Sequence, residues 1–194
     1  MKTRNYLIAV AFLAAGLASQ ARAADSYDVS PGMSYVIFQT KHFGVSTAHG
    51  RFNDFSGTVT GDFSNPAESS IEFDVMAASV DTGIEDRDKH LIGPDFFNSK
   101  EFPSISFKST AVAPVEGKEN TFTLTGDLTM LGVTKSIEAD FVYYGTGMAM
   151  GKKPIAGGDA SFTVKRTDFG MSYGAPDAIG DDVMITVSIQ GYKK

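Results

Sequence analysis

Apolar residues recur at every second position through most of this chain, in short runs broken by Gly, Pro, Asn and Asp. That period fits one face of a β-strand and not a helix. Across residues 34–42, Val36, Phe38, Thr40 and His42 share one side, while Ile37, Gln39 and Lys41 share a wetter one. Phe55, Gly57, Val59, Gly61 and Phe63 alternate with Ser56, Thr58, Thr60 and Asp62. The spacing returns at Ile71, Phe73 and Val75, at Ile105 and Phe107, at Phe122, Leu124, Gly126 and Leu128, and at Ile137, Ala139, Phe141 and Tyr143. Phe162 with Val164, and Val183, Ile185, Val187 with Ile189, complete the pattern. About eight strands with frequent turn signals predict an all-β, antiparallel barrel or sandwich over a parallel α/β fold. Glycines set between the aromatics leave room on the inner side.

One segment departs from this period. Residues 83–91 are rich in ions, and Thr82 followed three residues later by Glu85 has the form of a capping box, so a short helix is expected there, ended by Pro94. Asp86, Arg87, Asp88 and Lys89 suit either a solvated, internally paired helix turn or a site facing a charged ligand group.

The first 23 residues carry Lys2 and Arg4, an apolar run from Tyr6 to Leu17, and Ala21-Arg22-Ala23, the layout of a secretory signal peptide cleaved after Ala23. Its apolar run of roughly 12 residues is shorter than the ~20 of a membrane span, and no later run is longer. An exported protein that is not integral to a membrane is expected, with residues 24–194 forming one domain. Loss of the leader deepens the net charge from −6 to about −9, which argues against nucleic acid or an anionic membrane surface as a partner. Cysteine is absent, so disulfides, thiolate metal sites and a Cys nucleophile are excluded.

Several motifs stand in succession: Ser79-Val80-Asp81-Thr82, Arg87-Asp88-Lys89-His90-Leu91, Asp95-Phe96-Phe97-Asn98 and Phe102-Pro103-Ser104-Ile105-Ser106-Phe107. Lys41-His42-Phe43-Gly44, residues 125–135 (TGDLTMLGVTK), Arg166-Thr167-Asp168-Phe169-Gly170 and Ile179-Gly180-Asp181-Asp182-Val183 accompany them. Together they resemble the signature of the YceI-like family, from about Tyr27 to Tyr192. The resemblance implies a periplasmic, lipocalin-like antiparallel barrel holding a long isoprenoid or related lipid, with no cofactor. Some members of that family form dimers, so a homodimer is compatible with it, although no stripe in the chain establishes an interface.

The candidate lumen is the inward apolar face: Val36, Phe38, His42, Phe55, Val59, Phe73, Val75, Phe107, Leu124, Leu128, Phe141, Tyr143 and Phe162. Such a face serves a packed core equally well; the resemblance favours an open tunnel. Arg87 and His90 are the candidate head-group residues at the mouth, with Phe96 and Phe97 as an aromatic lid. His42, His49 and His90 lack metal-ligand spacing, and Asp81, Glu85, Asp86 and Asp88 lack the order of a calcium loop, so no metal is expected. Neither a nucleophile elbow nor a dinucleotide loop is present, and a binding protein is favoured over an enzyme. Two alternatives remain from the sequence: an enzyme acting on a lipid or quinone head group through His42 or His90, and a stress-related protein whose interior is closed core.

Overall fold

The computed structural model describes residues 24–62 and 65–194. The expected leader, its cleavage point after Ala23, and Phe63 lie outside the described residues. The described chain forms β1 (Asp25–Val29), β2 (Tyr35–His42), β3 (Ser46–Phe52), β4 (Phe55–Asp62), β5 (Asn65–Met76), β6 (Val80–Asp81), α1 (Glu85–Leu91), β7 (Ser104–Pro114), β8 (Thr121–Met130), β9 (Val133–Met148), β10 (Pro154–Lys165) and β11 (Ile179–Lys193). The fold is the expected all-β barrel. Eight antiparallel strands close a ring in the order β1, β4, β5, β7, β8, β9, β10, β11, because β1 pairs with β4 on one edge and with β11 on the other.

Those eight are not the eight that periodicity singles out. β2, with its clear alternation, pairs with the first part of β11 outside the ring, and β3 and β6 continue the sheet beyond it. β1 and β3 show no legible period, since DSYDV is short and polar and STAHGRF is built of small and charged residues. At the end of the barrel that holds β1, the gap between β11 and β4 is one strand wide. At the other end β2, β3 and β6 occupy it, so the wall flares.

The segment that departs from strand chemistry closes the seam beyond β6. Phe97 of the loop after α1 packs edge-on against Phe52 of β3 at 5.4 Å, while Ala77 N–H, donating to the Pro103 carbonyl at 2.9 Å, continues the β5–β7 ladder beside it. The helix starts at Glu85, after Ile84, with no side-chain cap, so the capping box expected of Thr82 and Glu85 does not form. Gly83, at φ 76°, turns the chain in a way that favours glycine and brings Thr82 to the side of the helix instead of its end. Thr82 donates its N–H, at 2.9 Å, and its hydroxyl to Asp88 Oδ1, and its Oγ1 accepts from Arg87 Nε at 2.7 Å. Lys89 pairs with Glu85 at 2.7 Å on the exposed face, as expected of the ion-rich turn.

Asp81 fastens this segment to the sheet. Its carboxylate accepts from Asn53 Nδ2 at 3.1 Å, from the Gly83 N–H at 2.9 Å, and from Arg51 Nε and Nη2 at 3.1 and 2.9 Å. These donors hold its pKa down at about 2, below the ordinary 3.8. A depressed folded-state value means that the contribution to stability is complete above about pH 4 and is lost as pH falls through about 2. Amide exchange at residues 80–91 is therefore expected to accelerate across that window ahead of the ring strands, and Asp81→Asn to remove the step. Uniform exchange through the whole barrel would show that Asp81 does not fasten the segment.

Candidate functional site

Inside the ring lies a cavity of about 370 Å³, within the roughly 300–1,000 Å³ of small-molecule sites, opening toward α1. Of the expected lumen residues, Val36, Phe38, His42, Phe73, Val75, Phe107, Leu124, Leu128, Phe141 and Phe162 line it. Phe55, Val59 and Tyr143 do not. Phe55 stacks on Phe73 at 5.5 Å with 22° between the rings, Val59 is buried where β4 pairs with β1, and Tyr143 packs on the core opposite Gly158. Val59 and Tyr143 lie toward the end that β1 closes, where the one-strand gap narrows the barrel, whereas Phe55, at the opposite end of β4, is covered by Phe73.

The wall shows why the rest of the interior stays open. Phe38 and Phe73 lie across from Gly50 and Gly57 on neighbouring strands, and Phe107 lies over Gly126. A Cβ at these glycines would stand 2.7 Å from Phe38 Cε1, 2.5 Å from Phe73 Cδ2 and 2.6 Å from Phe107 Cε2. Each ring therefore rests on bare backbone along the wall instead of crossing the lumen, the use of glycine in strands that close aromatic packing requires. Phe38, Phe107, Phe162, Ile185 and Val187 line the cavity yet are only partly buried, because they keep surface that faces the cavity.

Strand positions Ile71, Ile105, Val183, Ile185, Val187 and Ile189 also line the wall. Phe52, Met171, Tyr173 and Arg166 do so without a signal that periodicity could give, since they stand at the Gly-containing β3 and in the turn after β10.

The mouth gathers the expected head-group residues and adds to them. His90 Nε2 pairs with Asp95 Oδ2 at 3.0 Å, and its ring meets Phe96 edge-on at 4.9 Å and Tyr173 at 5.0 Å. Phe96 and Tyr173 lie 5.3 Å apart. Phe96 and Phe97 are buried, so they seal the barrel end from beneath and do not stand out as an exposed flap. Arg87 donates from Nε to Thr82 Oγ1 and from Nη2 to the Thr82 carbonyl at 2.9 Å, which fixes its guanidinium at the rim. His42 reaches the cavity from β2, edge-on to Phe43 at 4.5 Å, and His49 lies at the rim. Among the described residues no three His, Cys, Asp or Glu side chains gather as metal ligands, and no helix is long and apolar enough to cross a membrane.

A sequence profile of the YceI-like domain matches residues 27–191. The chain belongs to the YceI-like family. It is 35% identical over 188 residues to a UPF0312 protein of Pseudomonas putida strain GB-1, covering 96% of this chain and 94% of that one. It is 36% identical over 179 residues to a UPF0312 protein of Photorhabdus laumondii, covering 91% of each. Among solved structures, BcnA of Burkholderia cenocepacia superimposes on the YceI-like barrel with a TM-score of 0.76 at 25% identity, covering 84% of this chain and 98% of BcnA. The Campylobacter jejuni YceI protein gives 0.71 at 26%, covering 79% and 90%. A polyisoprenoid-binding domain from Saccharophagus degradans shares the fold, with a TM-score of 0.62 at 15% identity over 89% and 100%.

In this YceI-like barrel, Gly50→Ala should tilt the Phe38 ring into the lumen, because the three atoms nearest to the new methyl all belong to the far end of that ring. The variant is expected to stay folded and to admit a bulky apolar fluorophore with roughly tenfold lower affinity, a loss of ~1.4 kcal/mol, than the native chain. Unchanged affinity in titration would show that the ring over Gly50 does not set lumen width.

Proposed function

We propose that this protein binds a long-chain amphipathic lipid within the barrel, of polyisoprenoid, isoprenoid-quinone or fatty-amide type, and sequesters or carries it in the periplasm after export. The observation that carries this reading is the lumen: apolar side chains point inward from the ring strands and still face open space. A closed core would bury those same residues fully. The solved fold-mate from Saccharophagus degradans is described as polyisoprenoid binding, which makes prenyl chains the first ligands to try.

An apolar tunnel needs little polar chemistry to hold such a chain. Each methylene withdrawn from water contributes ~0.8 kcal/mol, so about ten contribute ~8 kcal/mol before the cost of ordering a flexible chain. Affinity then follows from chain length, while selection among head groups falls to the polar rim of Thr40, His42, Thr82, Arg87 and His90. Loading requires the mouth to open. The parts that would move are α1 and the Phe96-Phe97 loop, because they are held by the Thr82 and Gly83 N–H groups donating to Asp88 and Asp81, by the Phe97 N–H donating to the Leu91 carbonyl and by ring packing, and not by further strand pairing.

Phe107→Asp places a carboxylate on the apolar wall, where burial of an unpaired charge opposes any hydrocarbon neighbour. The folded variant is expected to lose retention of a prenyl alcohol at least tenfold in equilibrium titration, about 1.4 kcal/mol. A folded Phe107→Asp chain with native affinity would place the lipid elsewhere and overturn the lumen assignment.

A further inference from the structure

The turn after β10 holds a cation that the rim does not. Arg166 opens the 3-10 turn Arg166–Phe169 and is only 2% exposed, yet it forms part of the cavity wall. Its guanidinium donates from Nε to the Gly180 carbonyl at 2.9 Å, from Nη1 to the Met171 carbonyl at 2.9 Å and from Nη2 to the Ile179 carbonyl at 2.8 Å. All three acceptors are neutral. Among the described residues no carboxylate oxygen lies within 4.0 Å of it. Asp181 interacts with it through the field without contact, and its Oδ1 accepts from the Thr167 N–H and hydroxyl at 3.0 and 2.8 Å.

A guanidinium carries five N–H groups. Three are used, so one on each η nitrogen has no acceptor among the described residues. A buried charge with no carboxylate in contact is costly, and burial pushes this guanidinium below its ordinary pKa against the opposing field of Asp181. Three main-chain carbonyls are a sufficient staple for the turn between β10 and β11, but they place no carboxylate in contact with the charge beside an apolar lumen.

We infer that Arg166 anchors the anionic head of the bound lipid, donating its two remaining N–H groups to a compact oxyanion, a carboxylate or a phosphomonoester. This deepens the lipid-binding reading and rests on it. The arrangement supplies what such a head needs: a fixed planar donor, pre-oriented by backbone, in a site where water is scarce and charge-assisted hydrogen bonds are strong. Arg87, by contrast, is exposed at the rim and has two of its donors held by Thr82. The apolar chain would run from Arg166 past Met171 and Val164 into the lumen that these residues also line.

Three probes with one geranylgeranyl chain test the inference on the full protein: the alcohol, the carboxylate and the monophosphate. At neutral pH the native protein is expected to bind one or both anions at least tenfold more tightly than the alcohol, a fold-change typical of a charge-assisted hydrogen bond. Whichever anion is preferred tells carboxylate from phosphate. Arg166→Gln should erase the preference, read as the ratio of anion to alcohol affinity, and Arg87→Ala should lower that ratio less. Equal affinity of the native protein for all three probes would by itself overturn the Arg166 site and leave lipid binding standing, whatever the variants do. Binding of none would overturn both. Loss of the preference in Arg87→Ala with its retention in a folded Arg166→Gln would move the anion site to the rim and also overturn the inference.

Discussion

Five residues of β1 meet two strand edges at once, and the interior of this protein depends on that. Tyr27, Asp28 and Val29 pair with Lys193, Tyr192 and Gly191 of β11, while Asp25 to Asp28 pair with Gly61 to Thr58 of β4. Closure removes the sheet edge that would otherwise expose unpaired N–H and C=O groups. It also leaves the inward side chains nothing to pack on except one another. Salt bridges reinforce the join from outside, Lys193 to Asp25 at 2.6 Å and Lys194 to Asp28 at 2.9 Å.

From that closed end the barrel opens in steps. Val59, buried beside β1, and Phe122 beside Phe141 fill the narrow part. Farther along, rings lying on Gly50, Gly57 and Gly126 keep the centre clear. At the wide end the sheet gives way to a helix and a loop, because the seam beyond β6 lies where ladder pairing has ended. Polar groups collect only there: Thr40, His42, Thr82, Arg87, His90 and Arg166. A dry tube with a polar collar fits an amphipathic chain, and the same division separates the two tasks of retention and selection.

Much of this is legible in the chain. Period-2 alternation gives β2, β4, β5 and β7 to β11, and the position of Val36, Phe38, Thr40 and His42 on one side of β2 is what the cavity shows. Alternation reports which way a side chain points, not what it meets. It therefore cannot separate Phe107, which faces open space, from Phe55, which packs on Phe73. β1 stays hidden because five residues carry too little period, and β3 because Ser46, Thr47, Ala48 and Gly50 are small. Thr82 and Glu85 have the spacing of a capping box, but a positive-φ Gly83 between them redirects the chain. Arg166 stands in a motif, yet its burial beside the lumen follows from the turn that folds it back on Gly180 and Ile179, a tertiary fact that spacing does not encode.

A lipid chain held in the lumen should travel with the protein through purification. Mass spectrometry of the protein taken from its own cells, sprayed under non-denaturing conditions and then extracted with solvent, reads that out directly. The expected spectrum shows a non-covalent adduct that is lost on denaturation, with the extract containing a long apolar chain bearing a single polar head. A spectrum of bare protein that stays bare after incubation with prenyl lipids, isoprenoid quinones and fatty amides would contradict lipid binding, and the open interior would then have no lipid to explain it.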